Sequence, residues 1–85
     1  MTLLYFAWVR ERIGLDEERV ALPAHVRDVK GLLAWLRSRG NGYALALGKP
    51  AAIRVAVNQE HAKPDDPVRD NDEVALFPPV TGGAR

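Results

Sequence analysis

Asp28-Val29-Lys30-Gly31-Leu32-Leu33-Ala34-Trp35-Leu36-Arg37-Ser38-Arg39-Gly40 is the stretch that decides the fold. Val29, Leu32, Leu33 and Leu36 recur at i, i+3, i+4 and i+7, the spacing of one apolar helix face. Asp28 stands where an N-cap carboxylate can accept from an orphan amide of the first turn. Arg37 and Arg39 suit the negative end of the helix dipole, and Gly40 is a natural C′ residue. Gly31 costs about 1 kcal/mol against alanine inside a helix. Trp35, about 60° round from Leu32, covers the edge of the face.

The flanking segments read as strands. Leu3 to Val9, aromatic and aliphatic, predicts a strand buried on at least one side. Arg10-Glu11-Arg12-Ile13-Gly14 is a charged break, and Glu17 to Leu22 returns as a second strand, closed by Pro23, in an antiparallel hairpin with the first. Asn41 to Pro50 is either a short helical turn or an irregular segment, with Tyr43, Leu45 and Leu47 toward the core. Ile53, Val55 and Val57 alternate with Arg54, Ala56 and Asn58, which is a half-buried strand. Gln59-Glu60 offers a turn, and Pro64 and Pro67 exclude a long central strand after it. Asp70-Asn71-Asp72 predicts a turn with Asn71 left-handed. Glu73 to Phe77 is the last strand, Val74 and Leu76 opposing Ala75 and Phe77. The order strand, strand, helix, strand, strand predicts an α+β domain, one sheet with one helix across it.

Eighty-five residues, 47% hydrophobic and 27% charged, fit one small domain. Such a chain buries only about 60–65% of its unfolded surface, so its stability margin is thin. With no cysteine, disulfides, a thiolate zinc site and a cysteine nucleophile are excluded. A net charge of +1 argues against a dedicated nucleic-acid surface. No apolar run approaches the roughly 20 residues that span a bilayer. The opening Met1-Thr2-Leu3-Leu4 lacks the basic region of a signal peptide, so a cytoplasmic domain is expected.

Pro78-Pro79-Val80-Thr81-Gly82-Gly83-Ala84-Arg85 follows the last strand. The prolines stop pairing and hold the chain extended, giving an organisation of domain 1–77 and tail 78–85. Residues 78–83 reach up to about 20 Å when extended. A stiff spacer with a side-chain-free tip suits insertion into a narrow cleft of a partner; a frayed terminus is the plain alternative.

The heptad Phe77-Pro78-Pro79-Val80-Thr81-Gly82-Gly83 resembles the C-terminal signature of the molybdopterin synthase sulfur-carrier family. Tyr5-Phe6-Ala7 with Arg10-Glu11 and Gly14, the helix leucines, Val55-Ala56-Val57-Asn58, and Asp70-Asn71-Asp72-Glu73-Val74 extend the likeness over the chain, with Asn71 where glycine is usual. The resemblance implies a ubiquitin-like β-grasp: a mixed sheet of four to five strands with one main helix packed across it. It implies a carrier, not a catalyst. The Gly83 carboxylate is adenylated by an ATP-dependent partner, converted to a thiocarboxylate by a sulfur-donor protein, and delivers sulfur to a cyclic pyranopterin inside the large subunit of the synthase. Adenylation supplies the leaving group, and glycine has no β-carbon to block attack. On this reading Gly82 is the slender stem, Phe77, Pro78, Pro79, Val80 and Thr81 engage the partner, and no cofactor or metal is bound by the chain itself. Phe6 either shares that surface or lies in the core. Ala84-Arg85 departs from the family, in which the second glycine is normally last: either a peptidase removes it or the carrier has diverged. Alternatives are a ubiquitin-like protein modifier and a sulfur carrier for thiamine synthesis.

The other candidates read plainly. His25 and His61 are isolated and solvated or locally bonded. Asp65-Asp66 and Asp70-Asn71-Asp72-Glu73 lack calcium-loop spacing. Asp16-Glu17-Glu18 reads as the exposed start of a strand, and Arg10-Glu11-Arg12 as weak ion pairing. With no glycine-rich phosphate cradle, any ATP belongs to a partner.

Overall fold

In a computed structural model, which describes residues 1–79, the chain forms a five-stranded sheet on which three helices pack. The elements are β1 (Thr2–Tyr5), α1 (Ala7–Ile13), β2 (Glu17–Arg19), α2 (Val29–Arg37), α3 (Asn41–Leu47), a 3-10 turn (Pro50–Ala52), β3 (Arg54–Val57), β4 (Glu60–His61) and β5 (Glu73–Phe77). The strand order is β2-β1-β5-β3-β4. β1 and β5 run parallel at the centre, Thr2 opposite Glu73 and Tyr5 opposite Leu76, while the other pairings are antiparallel.

Strand alternation decides which face is covered. Leu3, Tyr5, Val55, Val74 and Leu76 point to one side and are buried there with Val29, Leu32, Leu33 and Leu36 of α2, and with Val9 and Leu47. α2 is the helix the leucine spacing predicts. Asp28 caps it, its carboxylate accepting from the Gly31 amide at 2.8 Å, and Trp35 packs at the core's edge. A Cβ on Gly31 would lie 2.9 Å from the capping oxygen, so glycine there admits the cap.

The first run departs from expectation. Its strand ends at Tyr5, and the charged break is helix α1, wound between the two antiparallel strands. Val9 and Ile13 are four residues apart and both face the core, a helical period. Gly14 closes the helix at φ 91°, its N–H donating to the Arg10 carbonyl. Entry into α1 puts Ala7 at φ 53°, a left-handed conformation that an alanine pattern does not signal. β2 stops at Arg19, short of the expected Leu22, though Val20 and Leu22 still pack on the core.

Three turns also differ. Asn41 to Pro50 holds a true helix, in which Leu47 is buried but Leu45 is 66% exposed. Gly40 is the N-cap of α3, since α2 already ends at Ser38. Asn71 is not left-handed; beyond Ala7 and Gly14, the left-handed residues among those described are Asn58 (φ 51°) and Gln59 (φ 71°). Val57 pairs with Glu60, so Asn58-Gln59 is the two-residue loop of a hairpin, whose twist favours two such residues. The Asn58 side chain donates to Asp72 and accepts from the Glu73 amide, both at 3.0 Å, tying this hairpin to the entry of β5.

Candidate functional site: the root of the C-terminal tail

β5 is the central strand, and Pro78 and Pro79 follow it in sequence. Phe77 pairs with Arg54, on the face opposite Val74 and Leu76. It is half-buried, its ring meeting His61 edge to face at 5.9 Å between centroids. His61 is thus locally packed. Leu4, Ala75, Ala56 and Phe77 share this face by register and are half-buried, with Arg54 and His61 exposed beside them. The Phe6 amide donates to the Leu76 carbonyl at 3.1 Å, and the Phe6 residue is 48% exposed. Of the two places open to Phe6, the structure gives the outward one, beside the last residues of β5. Pro78 and Pro79 follow, both half-buried. Val80, Thr81, Gly82 and Gly83, with Ala84 and Arg85, lie outside the described residues.

Among the described residues no group of three or more His, Asp or Glu side chains gathers to hold a metal. No helix among them is long and apolar enough to cross a membrane.

The strongest electrostatics lie on the covered side of the sheet, where the sequence reading missed a residue. Glu18 pairs with Leu3 and so points inward, with its side chain only 13% exposed. Its carboxylate accepts from the Tyr43 hydroxyl at 2.6 Å and from the Arg39 guanidinium. The Tyr5 hydroxyl is buried close by; no partner lies within full hydrogen-bonding geometry among the described residues, although the Glu18 carboxylate is near enough to act on it. Burial, reinforced by the Glu18 charge, raises the Tyr5 pKa. Tyr43 is raised by burial and by its bond to Glu18. Burial opposes the charge on Arg39, yet the Glu18 bond and charge raise its pKa. Glu18, read as an exposed strand start, is therefore the hub that ties β2 to α3. The alternation Glu17-Glu18-Arg19 beside a buried Leu3 was the only available signal.

A model described as the ThiS family matches residues 3–83. The molybdopterin synthase sulfur carrier subunit of Escherichia coli (strain K12) is 43% identical over 81 residues, covering 95% of this chain and 96% of that one. Among solved structures, a putative molybdopterin converting factor subunit 1 from Pyrococcus furiosus aligns with a TM-score of 0.74 at 28% identity, over 93% of this chain and 95% of that one. SAMP1 from Haloferax volcanii aligns with a TM-score of 0.72 at 30% identity, over 98% of each chain. The five-stranded mixed sheet with α2 across it is the β-grasp arrangement these proteins share. From the strand register at the centre of the sheet to the glycines at its end, the chain belongs to the ThiS family.

Proposed function

We propose that the chain is the sulfur carrier of a molybdopterin synthase, the small subunit whose tail is loaded elsewhere and discharged inside a large catalytic subunit. One observation carries the reading. The heptad ending in Gly82-Gly83 continues directly from β5, and the relative named a molybdopterin synthase sulfur carrier subunit matches 95% of the chain. The family match itself ends at Gly83.

The chemistry needs little from the domain. A Gly83 carboxylate oxygen attacks the α-phosphorus of ATP in an adenylating partner, and pyrophosphate leaves. A hydrosulfide delivered by a donor protein then displaces AMP, which carries that oxygen away, and the thiocarboxylate remains. In the large subunit this sulfur passes to the cyclic pyranopterin. The domain's part is to hold the root of the tail, and the open face carrying Phe77 is the surface that supports docking. A peptide bond from Gly83 to Ala84 leaves Gly83 itself no carboxylate to adenylate and puts the free one on Arg85, so a peptidase must first expose Gly83. The chain ending at Gly83 is expected to support ATP–pyrophosphate exchange with the adenylating enzyme, and the chain retaining Ala84-Arg85 is not. Equal exchange by both removes the need for processing. No exchange by either, with no rescue of a strain lacking the pterin carrier, refutes the reading.

A second reading has its own support: SAMP1, named in a second solved structure as a small archaeal modifier protein, shares the fold with a TM-score of 0.72. A modifier would pass the activated glycine to a lysine amine. Ladders that resist reductant on denaturing blots would establish it, and rescue of a thiamine-carrier strain alone would point to the thiamine pathway.

A further inference from the structure

Two grooves lie on the helix side of the sheet, and their cations differ. In the groove between α2 and β3, Lys30 pairs with Asp65 at 3.5 Å and Arg37 reaches the Leu47 carbonyl at 3.5 Å. The groove between α1 and α3, about 660 Å³, is lined by Trp8, Arg12, Leu45, Gly48, Lys49 and Ala52. Arg12 lies 4.4 Å over the Trp8 ring, and neither Arg12 nor Lys49 has an ion pair among the described residues. Among the described residues no acid lines this groove, and α3 carries no charge at all. Leu45 stands 66% exposed on its wall. The result is an apolar trough with uncompensated positive charge.

Its walls are joined to the root of the tail. Phe6, which leads into α1, bonds the Leu76 carbonyl, and Ala52 lies two residues before Arg54, the register partner of Phe77. The groove therefore borders the root on the helix side, as the Phe77 face borders it on the other. A cleft that swallows the tail to its root meets the domain on both sides. We infer that the α1–α3 groove docks the large synthase subunit, receiving an acidic rim of its cleft with one apolar side chain seated between Trp8 and Leu45. The inference rests on the carrier reading and adds a second, charged face to the contact. Apolar burial anchors it, and the two cations orient it and speed encounter.

The test is titration of the full chain, and of the chain ending at Gly83, against the large subunit from the same source at several salt concentrations. Arg12→Glu with Lys49→Glu is expected to weaken binding about tenfold or more and to flatten its salt dependence. Leu45→Asp with Lys49→Glu, which leaves the Arg12–Trp8 contact in place, is expected to do the same. Phe77→Ala is expected to weaken binding with the salt dependence unchanged. Folded double variants that bind as the unaltered chain does overturn the groove while leaving the carrier reading intact. No binding by the unaltered chain overturns both. Dimerisation abolished by the variants assigns the groove to a second copy. Resonance shifts at Trp8 and Leu45 when the free chain is cut after Pro79 assign it to the chain's own end. Either result overturns the inference.

Discussion

Tyr5 and Tyr43 approach the same carboxylate from different sides, and their removal is expected to act with opposite signs. Tyr5 is 1% exposed, and among the described residues its hydroxyl meets no partner in full hydrogen-bonding geometry, although the Glu18 carboxylate that Tyr43 and Arg39 engage lies near it. A buried hydroxyl left unpaired costs about 1–3 kcal/mol. Tyr5→Phe removes that atom and keeps the ring in the core, so a gain of about 1 kcal/mol is expected, toward the low end because the site keeps a small void. For a domain of this size that is about 4–8 °C in Tm. Tyr43→Phe takes a 2.6 Å bond from the carboxylate. Bonds to charged groups are worth about 1.5–3 kcal/mol when buried, and partial exposure brings the expected loss to about 1 kcal/mol. Urea unfolding with both variants measures the pair, with equal m-values required for the comparison. A loss on Tyr5→Phe as large as that on Tyr43→Phe would refute the reasoning, because it would mean that the Tyr5 hydroxyl donates to Glu18 or to a bound water.

Raised pKa values at Tyr5 and Tyr43, the chain's two tyrosines, make stability fall in alkali. Below the unfolded tyrosine pKa of 10.0 both states are neutral and nothing changes; above it the unfolded chain ionises first, and stability declines as pH rises toward the folded pKa. Tyr5 is expected to contribute tyrosinate absorbance only together with loss of circular dichroism, while Tyr43 is expected to titrate above 10.0, and both tyrosines titrating near 10 in the folded chain contradicts this. A Cβ on Gly42 would meet the Arg12 carbonyl oxygen at 2.7 Å and the Ile13 Cα at 3.4 Å, so α1 and α3 must part. Gly42→Ala is expected to lose about 1 kcal/mol net, overpacking of about 1–3 kcal/mol exceeding the helix-propensity gain of at most about 1 kcal/mol, and an unchanged denaturation midpoint would show the helices can separate freely. Phe77→Ala is expected to cost about 2 kcal/mol or more in affinity for the large subunit by calorimetry with the fold intact, and unchanged affinity removes Phe77 from the interface.

What was legible in the sequence follows from how local each cause is. The start and the buried face of α2 could be read because its cap and leucines lie within one short stretch, whereas its end falls at Ser38, before the Gly40 the sequence points to. β5 was equally plain, since Val74 and Leu76 alternate against Ala75 and Phe77. α1 was not, because Tyr5 to Val9 is aromatic and β-branched in the manner of a strand, while the break that starts the helix is a positive φ at an alanine. Glu18 became a half-buried hub because Tyr43 of α3, 25 residues further along the chain, donates to it. At the tail root, the residue types of Phe77 to Pro79 were readable, but the sequence left Phe6 undecided and could not pair Phe77 with His61.

The parallel pairing of β1 with β5 has a consequence for the order of events in synthesis. Leu3 cannot find Val74, nor Tyr5 find Leu76, until the ribosome has made and released residues 73–77. α2 can wind early, but its leucine face lacks the central strand to pack on. Pairing of such long sequence separation slows folding relative to local contacts. The sheet thus closes only once translation has reached the strand that carries the tail. A nascent chain that stops short of residue 73 lacks the central strand, so its core stays open until the last stretch of the domain is made.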